Sequence, residues 1–284
     1  MADQIVVTDA HQLRSLLTNH FDAAKIKRIE MGIGSRPSQS AKAKAAARQA
    51  LAAVNSDLLT DTDSIVLLST ARMTRDGGVF TLVEAARLLM AKYPNLRIWF
   101  VGDGPARDKI YSLLRSEGIR AQIAMPGSFC HTDDLMMAAD VYVHSGNDSS
   151  DSLLSFAVAS GLPIVARRSV SNFSMFNGSE LAGSGLAGSS NEGCPEVAWY
   201  QGDKEYDLRK KIKVLLNDRA GALRAAEALK RRLLQTRPES RMLDLYGEMI
   251  RRVVDRDLSC HQHSAQGLPA TAANRSNANQ EATG

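Results

Sequence analysis

The stretch SIVLLSTARMTRDGGVFTLVEAARLLMAKYPNLRIWFVG, residues 64–102, decides the fold. It opens on a short apolar run, Ile65 to Leu68, with no polar alternation. A polar loop ending in Gly77 and Gly78 follows, then a segment of helical period, then a second apolar run from Leu96 to Val101. Strands that are apolar on both sides are buried on both faces, and a helical crossover joins parallel neighbours. The stretch therefore reads as strand–helix–strand in a parallel sheet. The pattern continues outward through QIAMPG (122–127), DVYVHS (140–145), LPIVA (162–166) and the shorter VAWY (197–200). The expected class is α/β, a Rossmann-like parallel sheet with C-terminal helices.

Three zones flank or contain that pattern. Residues 1–62 read as mostly helical. In SQSAKAKAAARQALAAV (38–54) the alanines favour helix, and Ser38 or Ser40 is the expected N-cap. Ile5 to Val7 are apolar enough to want a strand neighbour. Residues 1–35 or so are therefore expected to be loosely held, or buried against a partner chain. Residues 63–256 hold the sheet and then three amphipathic helices, in 203–218, 220–235 and 240–254. Residues 257–284 contain almost no large apolar side chains and are expected to be a disordered tail. The glycine- and serine-rich segment 167–196 is expected to be a long mobile loop.

Composition excludes several classes. The chain has 284 residues, 44% of them hydrophobic, enough for one sizeable core with appendages. No apolar run is long enough to span a bilayer and the N-terminus has no secretory pattern, so a cytoplasmic location is expected. A net charge of +4 and 5% aromatic residues argue against a nucleic-acid partner. Cys130, Cys194 and Cys260 are scattered and expected to be reduced thiols. His261 and His263 lack partners at metal-ligand spacing. The basic clusters at 209–213, 230–232 and 251–252 read as solvated helix faces in preference to contacts with an anionic membrane surface.

Ligands of open parallel sheets lie beyond the C-terminal ends of the strands. The segments there are TARMTRDGG (70–78), GDGP (102–105), PGS (126–128), HSGNDSSDS (144–152) and RRSVSN (167–172). Several lead into helix starts, whose unpaired amides and partial positive charge suit an anion. The amides of Ser152, Leu153 and Leu154 are the best placed, and Arg72 can offer a bidentate bond to a phosphate. GDGP lacks the third glycine of a dinucleotide fingerprint. The set points to a phosphate-bearing ligand of nucleotide type.

Residues 66–119, followed by MPGSFCHTDDLMMAADVYVHSG (125–146) and AVASGLPIVA (157–166), resemble the C-terminal, donor-binding domain of the family-4 (group 1) retaining glycosyltransferases. Residues 25–34 also resemble that family's interdomain segment. The resemblance implies one half of a GT-B fold, with the N-terminal acceptor domain missing. It implies a nucleotide-sugar donor, hexosyl transfer with retention, and no metal or other cofactor. It places Arg72 on the donor diphosphate and Asp148 on the transferred sugar as the catalytic pair. Gly102, Gly104, Gly127, Ser149, Ser152, Leu153 and Leu154 become donor-binding positions.

Two positions depart from the family pattern. Gly77 stands where the family has a lysine, with Arg75 as a nearby substitute. Phe156 stands where it has a ribose-binding glutamate, and is expected to be a core aromatic. Hydrogen bonds to charged groups are worth roughly 1.5–3 kcal/mol each, so the two losses weaken a donor site by about two to four factors of ten. The expected function is a glycosyltransferase-type protein that binds a nucleotide sugar. The alternative is a non-catalytic module, derived from that fold, that partners a separate acceptor domain or chain.

Overall fold

The structure is a computed structural model and describes residues 4–37, 39–129, 131–147, 153–177 and 194–266. Its elements in order are β1 (Ile5–Val7), α1 (Ala10–Thr18), β2 (Ile26–Arg28), α2 (Ala41–Val54), β3 (Ile65–Ser69), α3 (Val79–Lys92) and β4 (Leu96–Val101). There follow α4 (Arg107–Ser116), β5 (Ile123–Gly127), α5 (Thr132–Ala138), β6 (Val141–His144), α6 (Leu154–Ala159) and β7 (Ile164–Arg167). The series closes with α7 (Val170–Asn177), β8 (Ala198–Tyr200), α8 (Glu205–Asn217), α9 (Arg219–Thr236) and α10 (Glu239–Gln266).

Strands β3 to β8 form one six-stranded sheet in the order β5-β4-β3-β6-β7-β8, and every pairing in it is parallel. The order reverses between β3 and β6, which places a switch point beside the loop that follows β3. The alternation within each strand explains why both faces are covered. Val66, Leu68, Trp99 and Val101 point into a core with Leu51 of α2, Leu135 of α5, Val158 of α6 and Leu229 of α9. Ile65, Leu67, Ile98 and Phe100 point into a second core with Leu82 of α3, Ile110 of α4 and Ile212 of α8. The α/β class and the parallel sheet are as the sequence led us to expect.

Helix α2 starts at Ser40, whose hydroxyl accepts from the Ala43 amide at 3.1 Å. It is tied to the sheet through Asp140, which is buried at the foot of β6. The Asp140 carboxylate accepts from Lys44 (2.9 Å), Arg48 (2.8 Å), Arg219 (2.9 Å) and the Val66 amide (2.8 Å).

Three expectations are corrected. First, the N-terminal strand is neither loose nor in need of a partner chain: β1 pairs in parallel with β2 of the same chain. Asp9 caps α1 and accepts from Ser171 of α7 at 2.9 Å, and Ile33 bridges to the start of α10 through Arg237 and Glu239. The neighbour of β1 went unread because β2 carries Lys27 and Arg28 in a strand of three residues. Second, the segment after β7 contains a helix, α7. Ser169 accepts from the Asn172 amide at 3.0 Å, and Phe173 stacks on Trp199 with ring centroids 4.3 Å apart. Residues 178–193 of the expected mobile loop lie outside the described residues. Third, α10 continues through 257–266, where a disordered tail was expected. Between Gly247 and Gly267 the sequence contains no glycine or proline to stop it. The remainder of that tail, 267–284, lies outside the described residues.

Candidate functional site

The C-terminal ends of β3, β4 and β5 meet in one rim. The loop after β3 carries Arg72, and the loops after β4 and β5 carry the glycines singled out above. The Met73 amide donates to the Asp103 carbonyl at 3.1 Å, and the Gly102 amide to the Gly127 carbonyl at 2.9 Å. Arg72, Gly102, Gly104 and Gly127 are thus brought together. Gly104 has φ of +159°, and a Cβ there would lie 2.4 Å from the Met73 carbonyl oxygen, so only glycine lets the two loops touch. Arg72 is exposed at this rim, and its guanidinium forms no ion pair among the described residues. Arg75 is exposed on the same loop.

Gly77 is built into this loop as glycine. A Cβ at Gly77 would lie 2.2 Å from the Arg72 carbonyl oxygen. A lysine there requires the Arg72 backbone to move, so the loop is shaped around a missing side chain and the family's lysine cannot simply be restored. The adjacent Gly78 has φ of +71° and abuts Ser145, whose hydroxyl donates to the Gly77 carbonyl at 2.7 Å. The turn after β3 is thereby fastened to the end of β6.

The far side of the rim is a buried polar network that the sequence did not reveal. His144 Nε2 and Asn172 Oδ1 lie 2.9 Å apart, and Asn172 Nδ2 donates to the carbonyls of Gly146 (3.0 Å) and Arg167 (2.8 Å). Arg167 reaches from the end of β7 to the Asp203 carboxylate at 3.1 Å. Its Nε is buried with no partner among the described residues. The only signal in the sequence was position: His144 and Arg167 end strands and Asn172 lies just beyond one. Their pairing depends on α7, which was read as loop.

Asp148, Ser149 and Ser152 lie outside the described residues. Leu153 caps α6 with no side-chain hydrogen bond, and Leu154 begins it, so the first-turn amides of this short helix have no side-chain cap. Phe156 is a correction: it is half-buried rather than a core aromatic. It packs against one core on one side, and the Arg36 guanidinium lies 4.3 Å from its ring centroid on the other. Arg36 is itself paired with Asp133, and its carbonyl accepts from Lys230 at 3.0 Å. The outer face of the Phe156 ring is therefore covered by a stacked cation.

Among the described residues no cluster of three or more His, Cys, Asp or Glu is arranged to hold a metal ion. Cys194 is buried; burial, with Glu196 beside it, pushes its thiol up to about 12. Arg232 donates to its sulfur at 3.0 Å.

Comparison with known proteins shows what the chain is similar to. A family profile described as "Glycosyl transferases group 1" matches residues 54–185. The lipopolysaccharide core biosynthesis glycosyltransferase LpsE of Rhizobium meliloti (strain 1021) is 30% identical over 111 residues, 39% of this chain and 32% of that protein. LpsD of the same strain, likewise a lipopolysaccharide core biosynthesis glycosyltransferase, is 26% identical over 123 residues, 43% of this chain and 35% of that protein. The matched segment thus spans about a third of these relatives' length. Among solved structures, Anabaena Alr3699/HepE in complex with UDP and glucose superposes with a TM-score of 0.68 at 16% identity. The match covers 88% of this chain and 63% of that one.

Proposed function

From the group 1 glycosyl transferase domain at residues 54–185, we propose that this chain is the donor half of a sugar-transfer system. It holds a nucleotide sugar by its diphosphate, while a separate acceptor domain or partner chain presents the second substrate. The observation that supports this most is Arg72, an exposed guanidinium without an ion pair among the described residues, on the loop beside the topological switch point. When the sugar–phosphate bond breaks, negative charge develops on the leaving diphosphate. A planar fork of N–H donors lying ready at that position stabilises the charge without reorganisation. Arg75 and the first-turn amides of α6 add to it, Gly102, Gly104 and Gly127 let the backbone approach the nucleotide, and Asp148 orients the sugar. The reading includes hexosyl transfer with retention, no metal requirement, and a cytoplasmic location. Among the described residues no helix is long and apolar enough to cross a membrane.

HepE was solved with UDP, which makes UDP the first ligand to try. LpsE and LpsD are named for lipopolysaccharide core biosynthesis, which makes a growing saccharide the first acceptor class to try. A second reading, a non-catalytic partner of a separate acceptor domain, is favoured by two observations. Gly77 and Phe156 leave the diphosphate and ribose with fewer ligands. Strand β1 with β2 makes a sheet of only two strands, whose edges can take another chain. Calorimetric titration with UDP, with and without a chelator, tests the first reading. It predicts binding at roughly 100 µM or weaker that the chelator does not change. No heat at millimolar UDP, with the chain folded, favours the second.

A further inference from the structure

We infer that the outer face of α8, continued onto the start of α9, is a docking surface for an anionic lipid bilayer. Helix α8 turns Leu208, Ile212 and Leu216 into the core. That fixes what points outward: Tyr206, Lys210 and Val214, spaced by four residues on one stripe. Tyr206 is 62% exposed and Val214 56%, large apolar groups that a purely solvated face does not need. Arg209, Lys210, Lys211 and Lys213 surround them, and none forms an ion pair among the described residues. Arg209 instead lies over the Tyr206 ring, 5.3 Å from its centroid. At the corner where α8 meets α9, exposed Leu223 and Arg219 border a cleft with Lys44 and Leu215.

Charge selects the occupant. Helix α10 also exposes apolar groups, Leu243, Ile250 and Val254, but Asp244, Glu248 and Asp255 balance Arg241, Arg251 and Arg252 around them. A balanced face suits a protein. The excess of cations on α8, four against Glu205 and Asp207 in its first turn, with an aromatic ring and aliphatic groups between them, suits lipid headgroups of negative charge, where Tyr sits at the interface and Lys and Arg meet the headgroups.

Sedimentation of the full chain with vesicles tests this, using phosphatidylcholine with and without phosphatidylglycerol, at low and raised salt. We expect binding only to the anionic vesicles, lost at raised salt, and reduced at least about ten-fold by Lys210→Glu with Lys213→Glu. Tyr206→Ser is expected to reduce it as well. Tyr206 and Lys210 are exposed and Lys213 is half-buried, and an unchanged melting curve confirms that both variants fold. No binding to anionic vesicles at low salt, or equal binding by the folded charge variant, overturns the inference. So does binding equal to that of wild type in Tyr206→Ser, because the apolar groups would then play no part. No arm uses a nucleotide, so the result is independent of the donor reading.

Discussion

At Gly77 the structure changes the meaning of a substitution. Read from the sequence, glycine where the resemblance implies a lysine is a lost ligand. In the fold it is a close approach, with the Arg72 carbonyl 2.2 Å from where a Cβ would sit. Gly77→Lys is therefore expected to destabilise the chain by about 1–3 kcal/mol, by forcing the Arg72 backbone aside. It should not tighten donor binding. A melting curve and a UDP titration on the same sample check this; tighter binding with an unchanged melting temperature contradicts it. Phe156 shows the same limit of sequence reading. Its apolar character was legible, but its half-exposure under Arg36 was not, because Arg36 lies far away in the chain.

Asp140 is the residue on which the most elements depend. Burial pushes its carboxyl up, but Lys44, the Val66 amide and Arg48 outweigh burial and hold it below the usual carboxylate range. A depressed folded value means that its stabilisation is present above the unfolded value, about 3.9, and is lost as the pH falls through the folded one. Asp140→Asn leaves three cations around a neutral amide. It is expected to cost about 3 kcal/mol at neutral pH, the low end for a broken buried pair, since Arg219 is partly in solvent. The gap between wild type and variant in urea unfolding should be constant from pH 7 down to about 4 and close below it. A gap independent of pH throughout rules out the charge as its cause.

Among the elements, α7 has the largest bearing on the site. Asn172 is fully buried and joins β6, the loop after it and the end of β7 through His144, Gly146 and Arg167. Asn172→Ala is expected to lower stability by about 2–4 kcal/mol, since several buried partners lose their bonds together. Differential scanning calorimetry reads it; a shift of the melting temperature within error contradicts the network. The core strands were legible because each is a continuous apolar run, and helices α8 to α10 because their period is clear. Strand β2 and helix α7 were not. Three residues with two cations do not read as a strand, and Ser169, Asn172 and Phe173 find their partners only across the sheet. The rim glycines were legible as turns, but the closeness of the loops they join was a matter of tertiary contact.

At the scale of the whole molecule, the six-stranded sheet is complete on both faces while the parts outside it are not. Strands β1 and β2 form a two-stranded sheet, and α10 carries Leu243, Ile250 and Val254 exposed along its length. The matched segments span about a third of the curated relatives' length, 32% and 35%. What the chain does by itself then reduces to whether its rim holds a nucleoside diphosphate through Arg72. The direct measurement is UDP titration of wild type, Arg72→Ala and Arg72→Lys under one set of conditions, with melting curves alongside. Removal of a charge-assisted bidentate contact should weaken binding at least about ten-fold in Arg72→Ala, with partial recovery in Arg72→Lys, whose point charge lacks the fork. The account is contradicted if all three folded proteins bind UDP with the same affinity.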